Sequence, residues 1–176
     1  MNSLLVYYKY QKEIKTGDHL GFRGKGVIGW LIRKFSKGEI NHSAIALRLR
    51  YVGLDKRRFT VEALDHGIEF HMLSRRLQNY QGEVWWYPLK DEYDEVRYLV
   101  AEWMLDNVDV PYDYRSLFKQ AVSRVSSDAN KLFCSESCNF AWVNAGIDTG
   151  FPLCEKAPTP ADIDKFDIFK DKIRIL

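Results

Sequence analysis

Short runs in which apolar and polar residues alternate predict strands over Gly17–Phe22, His42–Arg50, Arg58–Leu64, Gly67–His71 and Glu83–Leu89. Helical spacing predicts Gly26–Phe35, a short helix at Leu73–Asn79, a long one over Tyr93–Asn107 and another over Tyr114–Arg124. The long helix carries Val96, Leu99, Val100, Trp103 and Met104 on one stripe with charges opposite. Asp91 is its expected N-cap, and Pro111 follows its end. Within the last predicted strand of that set, Trp85-Trp86-Tyr87 divides its rings between the two faces. A polar loop, Ser126 to Asn130, then leads into an apolar approach and a helix that carries Cys134 and runs to Ala145, with Gly146 as its stop. Pro152, Pro158 and Pro160 make the next stretch irregular, and the tail from Ile163 to Leu176 adds a last helix or strand. Without a repeat or a linker-like segment, residues 1–176 read as one domain.

Composition sharpens this picture in two ways. At 46% hydrophobic, a chain of 176 residues buries a core without covalent staples. Its three cysteines cannot all pair, so a thiol in reduced use and a cytoplasmic setting are expected. The apolar run within Met1–Tyr10 is too short and too rich in tyrosine for a secretory signal, and no later stretch approaches a membrane span.

Net charge is only +2, but residues 1–60 hold 13 Lys and Arg against 4 Asp and Glu, and the remainder is acidic. Arg23, Lys25, Arg33, Lys34 and Lys37 flank the predicted Gly26–Phe35 helix. They read either as a solvated helix face or as a basic rim guiding an acidic substrate, such as a carboxylated peptide stem or an anionic lipid headgroup. Zinc-finger spacing, a recognition motif and a basic-aromatic array are all missing from the sequence, so nucleic acid is not an expected partner.

The segment Phe133-Cys134-Ser135-Glu136 carries the chemistry of greatest interest. A thiol at the start of a helix is favoured as thiolate, because free amide N–H groups and the helix dipole stabilise the anion. Cys134 is therefore the candidate nucleophile, and a nucleophilic thiol needs a base. His42 heads a predicted strand, rigidly held yet at an edge that substrate can reach. If that strand pairs antiparallel with Arg58–Leu64, Glu62 comes close to His42 and orients its ring.

Taken in order, Gly17-Asp18, His42-Ser43-Ala44-Ile45, Glu62, Tyr112-Asp113 and Phe133-Cys134-Ser135-Glu136 resemble the circularly permuted branch of the NlpC-type papain-like amidases, the YiiX- and YaeF-like proteins. In unpermuted papain-like enzymes the cysteine precedes the histidine; here it follows. The resemblance runs from about residue 16 to about residue 147. It implies an α+β, papain-like domain with a central antiparallel sheet or small barrel packed against helices. It also implies Cys134 as nucleophile, His42 as base, Glu62 as orienting residue and Tyr112 as a substrate or oxyanion contact. Asn41 departs from the Ser or Thr that relatives often carry before the histidine. The implied activity is cysteine-dependent hydrolysis of an amide in a peptide or peptidoglycan stem through a thioester, without cofactor, with the backbone N–H of Cys134 helping to hold the oxyanion. Relatives among lipid acyltransferases offer a thiol esterase or acyltransferase as the alternative, and a binding module without turnover is the third reading. Relatives often act outside the cytoplasm, so the cell envelope is a possible site of action.

Each residue also has a plainer reading. A free cysteine is by default a small buried apolar side chain. His42 then bonds to backbone at a strand end, Tyr112 packs in an aromatic corner, and Glu62 pairs in solvent with Arg48, Arg50 or Arg58 at little gain. A zinc set from Cys134, Cys138 and Cys154 or a histidine matches no usual spacing, and Glu69 with His71, near Asp65 and His66, reads more simply as a polar strand edge. Cys138, one turn from Cys134, is expected inside the helix packing.

Overall fold

A computed structural model describes residues 4–25, 38–49, 53–64, 67–108, 129–151, 153 and 157–176, with backbone alone for 129–133. Among these, five six-residue strands and one of two residues follow the alternating segments: β1 His19–Gly24, β2 His42–Leu47, β3 Phe59–Leu64, β4 Gly67–Met72, β5 Gly82–Tyr87 and β6 Ile173–Arg174. They form one six-stranded sheet in the order β4-β3-β2-β1-β5-β6, with antiparallel pairing throughout. The helices are α1 Leu5–Tyr10, α2 Leu73–Gln78, α3 Arg97–Asp106, α4 Ala129–Asn144 and α5 Pro160–Ile163.

Strand alternation sends the two sets of side chains into two cores. Ile45, Leu47, Phe59, Val61, Ala63 and Tyr87 meet Val100 and Met104 of α3 and Cys138, Ala141 and Trp142 of α4 on one face. On the other, Leu20, Phe22, Ala44, Ala46, Val84 and Trp86 meet Tyr7 of α1 and Leu73 and Leu77 of α2. Trp86 and its neighbours Trp85 and Tyr87 do divide between the faces as their alternation requires.

Helix α4 ends where Gly146 adopts φ +82, a left-handed conformation that glycine takes without steric cost. The Gly146 N–H donates to Val143 and the Ile147 N–H to Trp142, a Schellman closure of the last turn. Trp142, fully buried, also donates its indole N–H to the Gly17 carbonyl at 3.0 Å and so ties the helix to the entrance of β1.

Three expectations are revised. The acidic run Asp91–Val96 forms a 3-10 turn and the α-helix begins only at Arg97; Asp91 caps nothing and instead pairs with Lys15 and Lys170. Helix α4 begins at Ala129, so Ala129 and Asn130 are helical and Cys134 lies in the second turn, past the free N–H groups of the terminus. The proline-containing stretch expected to be irregular holds the short α5, while the tail adds a last strand as expected, the two-residue β6. The helices expected over 26–35 and 114–124 lie outside the described residues, as does Tyr112.

Arg97, at the start of α3, holds the two ends of β1 and β5 together. Its guanidinium bonds Asp18 at 2.7 Å and the carbonyls of Thr16 and Leu89, while Asp18 also accepts from Trp86 Nε1 and from the amides of Lys15 and Leu89. With Asp18 at 1% and Arg97 at 6% exposure, the Gly17-Asp18 pair opens β1 as a structural anchor.

Candidate active site

Pairing of β2 with β3 runs through Ile45–Val61, Ala46–Thr60 and Leu47–Phe59. Continuing that register sets Glu62 opposite Ala44, on the face that His42 shares, two residues away. Ala44 is small enough to leave the space between them open. His42 Nε2 lies 2.6 Å from Glu62 Oε2, as antiparallel pairing required. That contact leaves Nδ1 for the other partner of the ring, the Cys134 thiol, with which His42 is hydrogen-bonded. Cys134 comes from α4 on the opposite side of the sheet, and His42 meets it because it is the first residue of its strand.

Electrostatics follow from this line. Burial disfavours the His42 imidazolium, but the Cys134 thiolate and the Glu62 carboxylate overcome it and raise its pKa to about 10. Burial likewise opposes the Cys134 thiolate, yet His42 and the backbone N–H groups of Ser43 and Ser135 bring its pKa below the ordinary thiol value. Glu62 is fully buried; against that burial, His42 and Arg76 lower its pKa to about 2. The ion pair, with two neighbouring amides, does what a helix terminus was expected to do for the thiol.

Arg76 was not legible in the sequence. Its Nε and a terminal N–H donate to the two oxygens of Glu62 at 2.8 and 3.0 Å. Of the arginines expected to pair with Glu62, Arg58 is buried and spends its guanidinium on the carbonyls of Lys12, Ile14, Asp55 and Arg57, Arg48 approaches Asp55 at 3.9 Å, and Arg50 lies outside the described residues. The only sequence signal for Arg76 is its place on the turn of helix that immediately follows β4.

Asn41, beside His42, accepts the Gly24 N–H on its side-chain oxygen at 2.7 Å and fixes the start of β2. Cys138 is buried, and its thiol is pushed well above the ordinary value, so it stays neutral. Glu136, also in the motif, is raised to about 7 by burial. His19, between Tyr87, Trp142 and Phe169, is buried, lowered to about 3 and therefore neutral, with neither ring nitrogen bonded among the described residues.

The sequence matches no family model and no curated protein. Among solved structures, the fold is similar to the crystal structure of the metalloprotein YiiX from Escherichia coli O157:H7, a DUF1105 protein. The TM-score is 0.64 at 15% identity, over 90% of this chain and 96% of that one. Among the described residues of the present chain, no group of three or more His, Cys, Asp and Glu side chains is arranged to hold a metal ion, and Glu69 and His71 pair with each other at 3.1 Å. Nor is any described helix long and apolar enough to cross a membrane. The chain shares with YiiX an α+β fold in which a six-stranded antiparallel sheet packs against helices.

Proposed function

We propose that this protein is a papain-like cysteine hydrolase that cleaves an amide, with a peptide or peptidoglycan stem as the substrate class. The observation that carries the reading is the unbroken line from the Cys134 thiol through His42, at the start of β2, to the buried Glu62. Nucleophile, base and orienting carboxylate at hydrogen-bond reach are the arrangement that acyl transfer by a thiol requires.

In this mechanism the Cys134 thiolate attacks the carbonyl carbon and the electron pair of the carbonyl moves to oxygen. Collapse of the tetrahedral species breaks the C–N bond, and the His42 imidazolium gives its proton to the leaving nitrogen. A water then attacks the thioester, His42 takes its proton, and the thiol leaves as thiolate with release of the acid. Glu62 stays ionised throughout and holds the ring tautomer in which Nδ1 faces sulfur.

The test is product analysis by mass spectrometry on peptide amides, peptidoglycan fragments and phospholipids, with wild-type protein and Cys134→Ala. Amide cleavage that the variant lacks, with a thioester adduct on Cys134, is the expected result. Acyl release or transfer from lipid alone gives the esterase or acyltransferase instead. A folded protein that binds these substrates without any turnover overturns the hydrolase reading in favour of a binding module.

A further inference from the structure

Glu62 is a fully buried carboxylate, and a buried charge persists only where it is paired and hydrogen-bonded. His42 supplies one partner, at 2.6 Å from Oε2. The other is the fork of Arg76, which takes Oε1 at 2.8 Å and shares Oε2 at 3.0 Å. A forked contact fixes the plane of the carboxylate as well as its charge.

The guanidinium also packs against a pair of aromatic rings. Its central carbon lies 5.2 Å from the ring centroid of Phe22 and 5.2 Å from that of Tyr80. Those rings meet edge to face at 5.1 Å, and Phe22 also touches the His42 ring at 5.5 Å. One aromatic side chain thus packs on both the arginine and the histidine that flank Glu62.

We propose that Arg76 is a positioning residue of the active site: its forked contact with Glu62, packed against Phe22 and Tyr80, completes an alternating row of charges, Cys134, His42, Glu62, Arg76. The inference rests on the catalytic reading of the first three. With Arg76 the row is neutral when the thiol is ionised. Without it the same row carries a net negative charge in a buried place, which favours the return of one proton, and the thiolate is where it returns. Other titratable groups facing the row are Glu69 and Tyr80 near Arg76, Cys138 near Cys134 and Glu62, and His19 near His42. Cys138 and His19 stay neutral where Cys134 titrates, and Glu69 already pairs with His71.

The experiment is titration of the thiolate ultraviolet absorbance against pH in wild type, Arg76→Met, Arg76→Gln and Arg76→Lys, with Cys134→Ser as the blank. The expected result is a midpoint about one pH unit higher in Arg76→Met and Arg76→Gln, with Arg76→Lys between them and wild type because it keeps the charge and loses the fork. If Arg76 only fastens α2 to the sheet, the variants melt earlier while the midpoint of the folded protein stays put, and the proposal is overturned. Arg76→Lys keeps the test open should the neutral variants fail to fold, because an unchanged midpoint in it, paired with a weakened fold, has the same meaning. An ordinary thiol titration in wild type overturns the catalytic reading itself; a depressed wild-type midpoint that Arg76 variants leave unmoved overturns the role of Arg76 alone.

Discussion

Nε2 of His42 and Oε2 of Glu62 stand 2.6 Å apart on adjacent antiparallel strands, a charge-assisted, part-buried contact in which the carboxylate itself is fully buried. It leaves the imidazole one free nitrogen, and the Cys134 thiol takes it. Every functional statement about this chain depends on that order of contacts.

Glu62→Gln keeps the shape of the side chain and removes its charge, leaving the Arg76 fork half satisfied. A loss of about 3 kcal/mol in urea unfolding is expected, as for other broken buried ion pairs. In the protein that remains folded, the thiolate of Cys134 should form at higher pH, because His42 loses the anion that favours its protonated form.

Acid stability follows from the same residue. The Glu62 pKa is lowered in the folded protein to about 2, from 4.5 in an unperturbed chain. Its stabilisation is therefore complete above 4.5 and lost as pH falls through that window toward 2. Urea midpoints measured down this range should fall faster in wild type than in Glu62→Gln, and parallel curves would show that the carboxylate is not held ionised.

Thiol reactivity should be confined to one cysteine of the helix. Cys138 is fully buried and its thiol is pushed up, whereas His42 pulls that of Cys134 down. Peptide mapping after brief iodoacetamide treatment of the folded protein should find Cys134 carbamidomethylated and Cys138 unmodified. Cys138→Ala should cost about 1 kcal/mol and leave the alkylation of Cys134 unchanged.

The strands and the His42–Glu62 contact were legible because each depends on local pattern. His42 heads an alternating run, and antiparallel pairing of that run with its successor suffices to bring Glu62 near. Arg76 was hidden, since a surface-type residue on a six-residue helix gives no hint that its fork crosses to a buried strand carboxylate. The start of α4 was misplaced for a related reason: Ala129 and Asn130 follow a serine-rich stretch that reads as loop, and propensity there yields to continuation of the helix. Asp18 stood out as part of a family pattern, yet its neighbours Arg97 and Trp86 make it an anchor of the sheet.

That division between anchor and site is itself testable. Arg97→Met removes the buried partner of Asp18 and should cost about 3–5 kcal/mol in unfolding free energy. Below its melting temperature the variant should retain the wild-type pH profile of Cys134 alkylation. A shifted profile would tie the Asp18 network to the thiol.

The central claim is that His42 holds Cys134 as a thiolate, and the direct measurement is the rate of Cys134 alkylation by iodoacetamide against pH, in wild type and in His42→Ala. A wild-type profile rising well below the free-thiol value of about 8.5 is expected, with a return toward that value without His42. A wild-type profile at the free-thiol value, unmoved by His42→Ala, would contradict it.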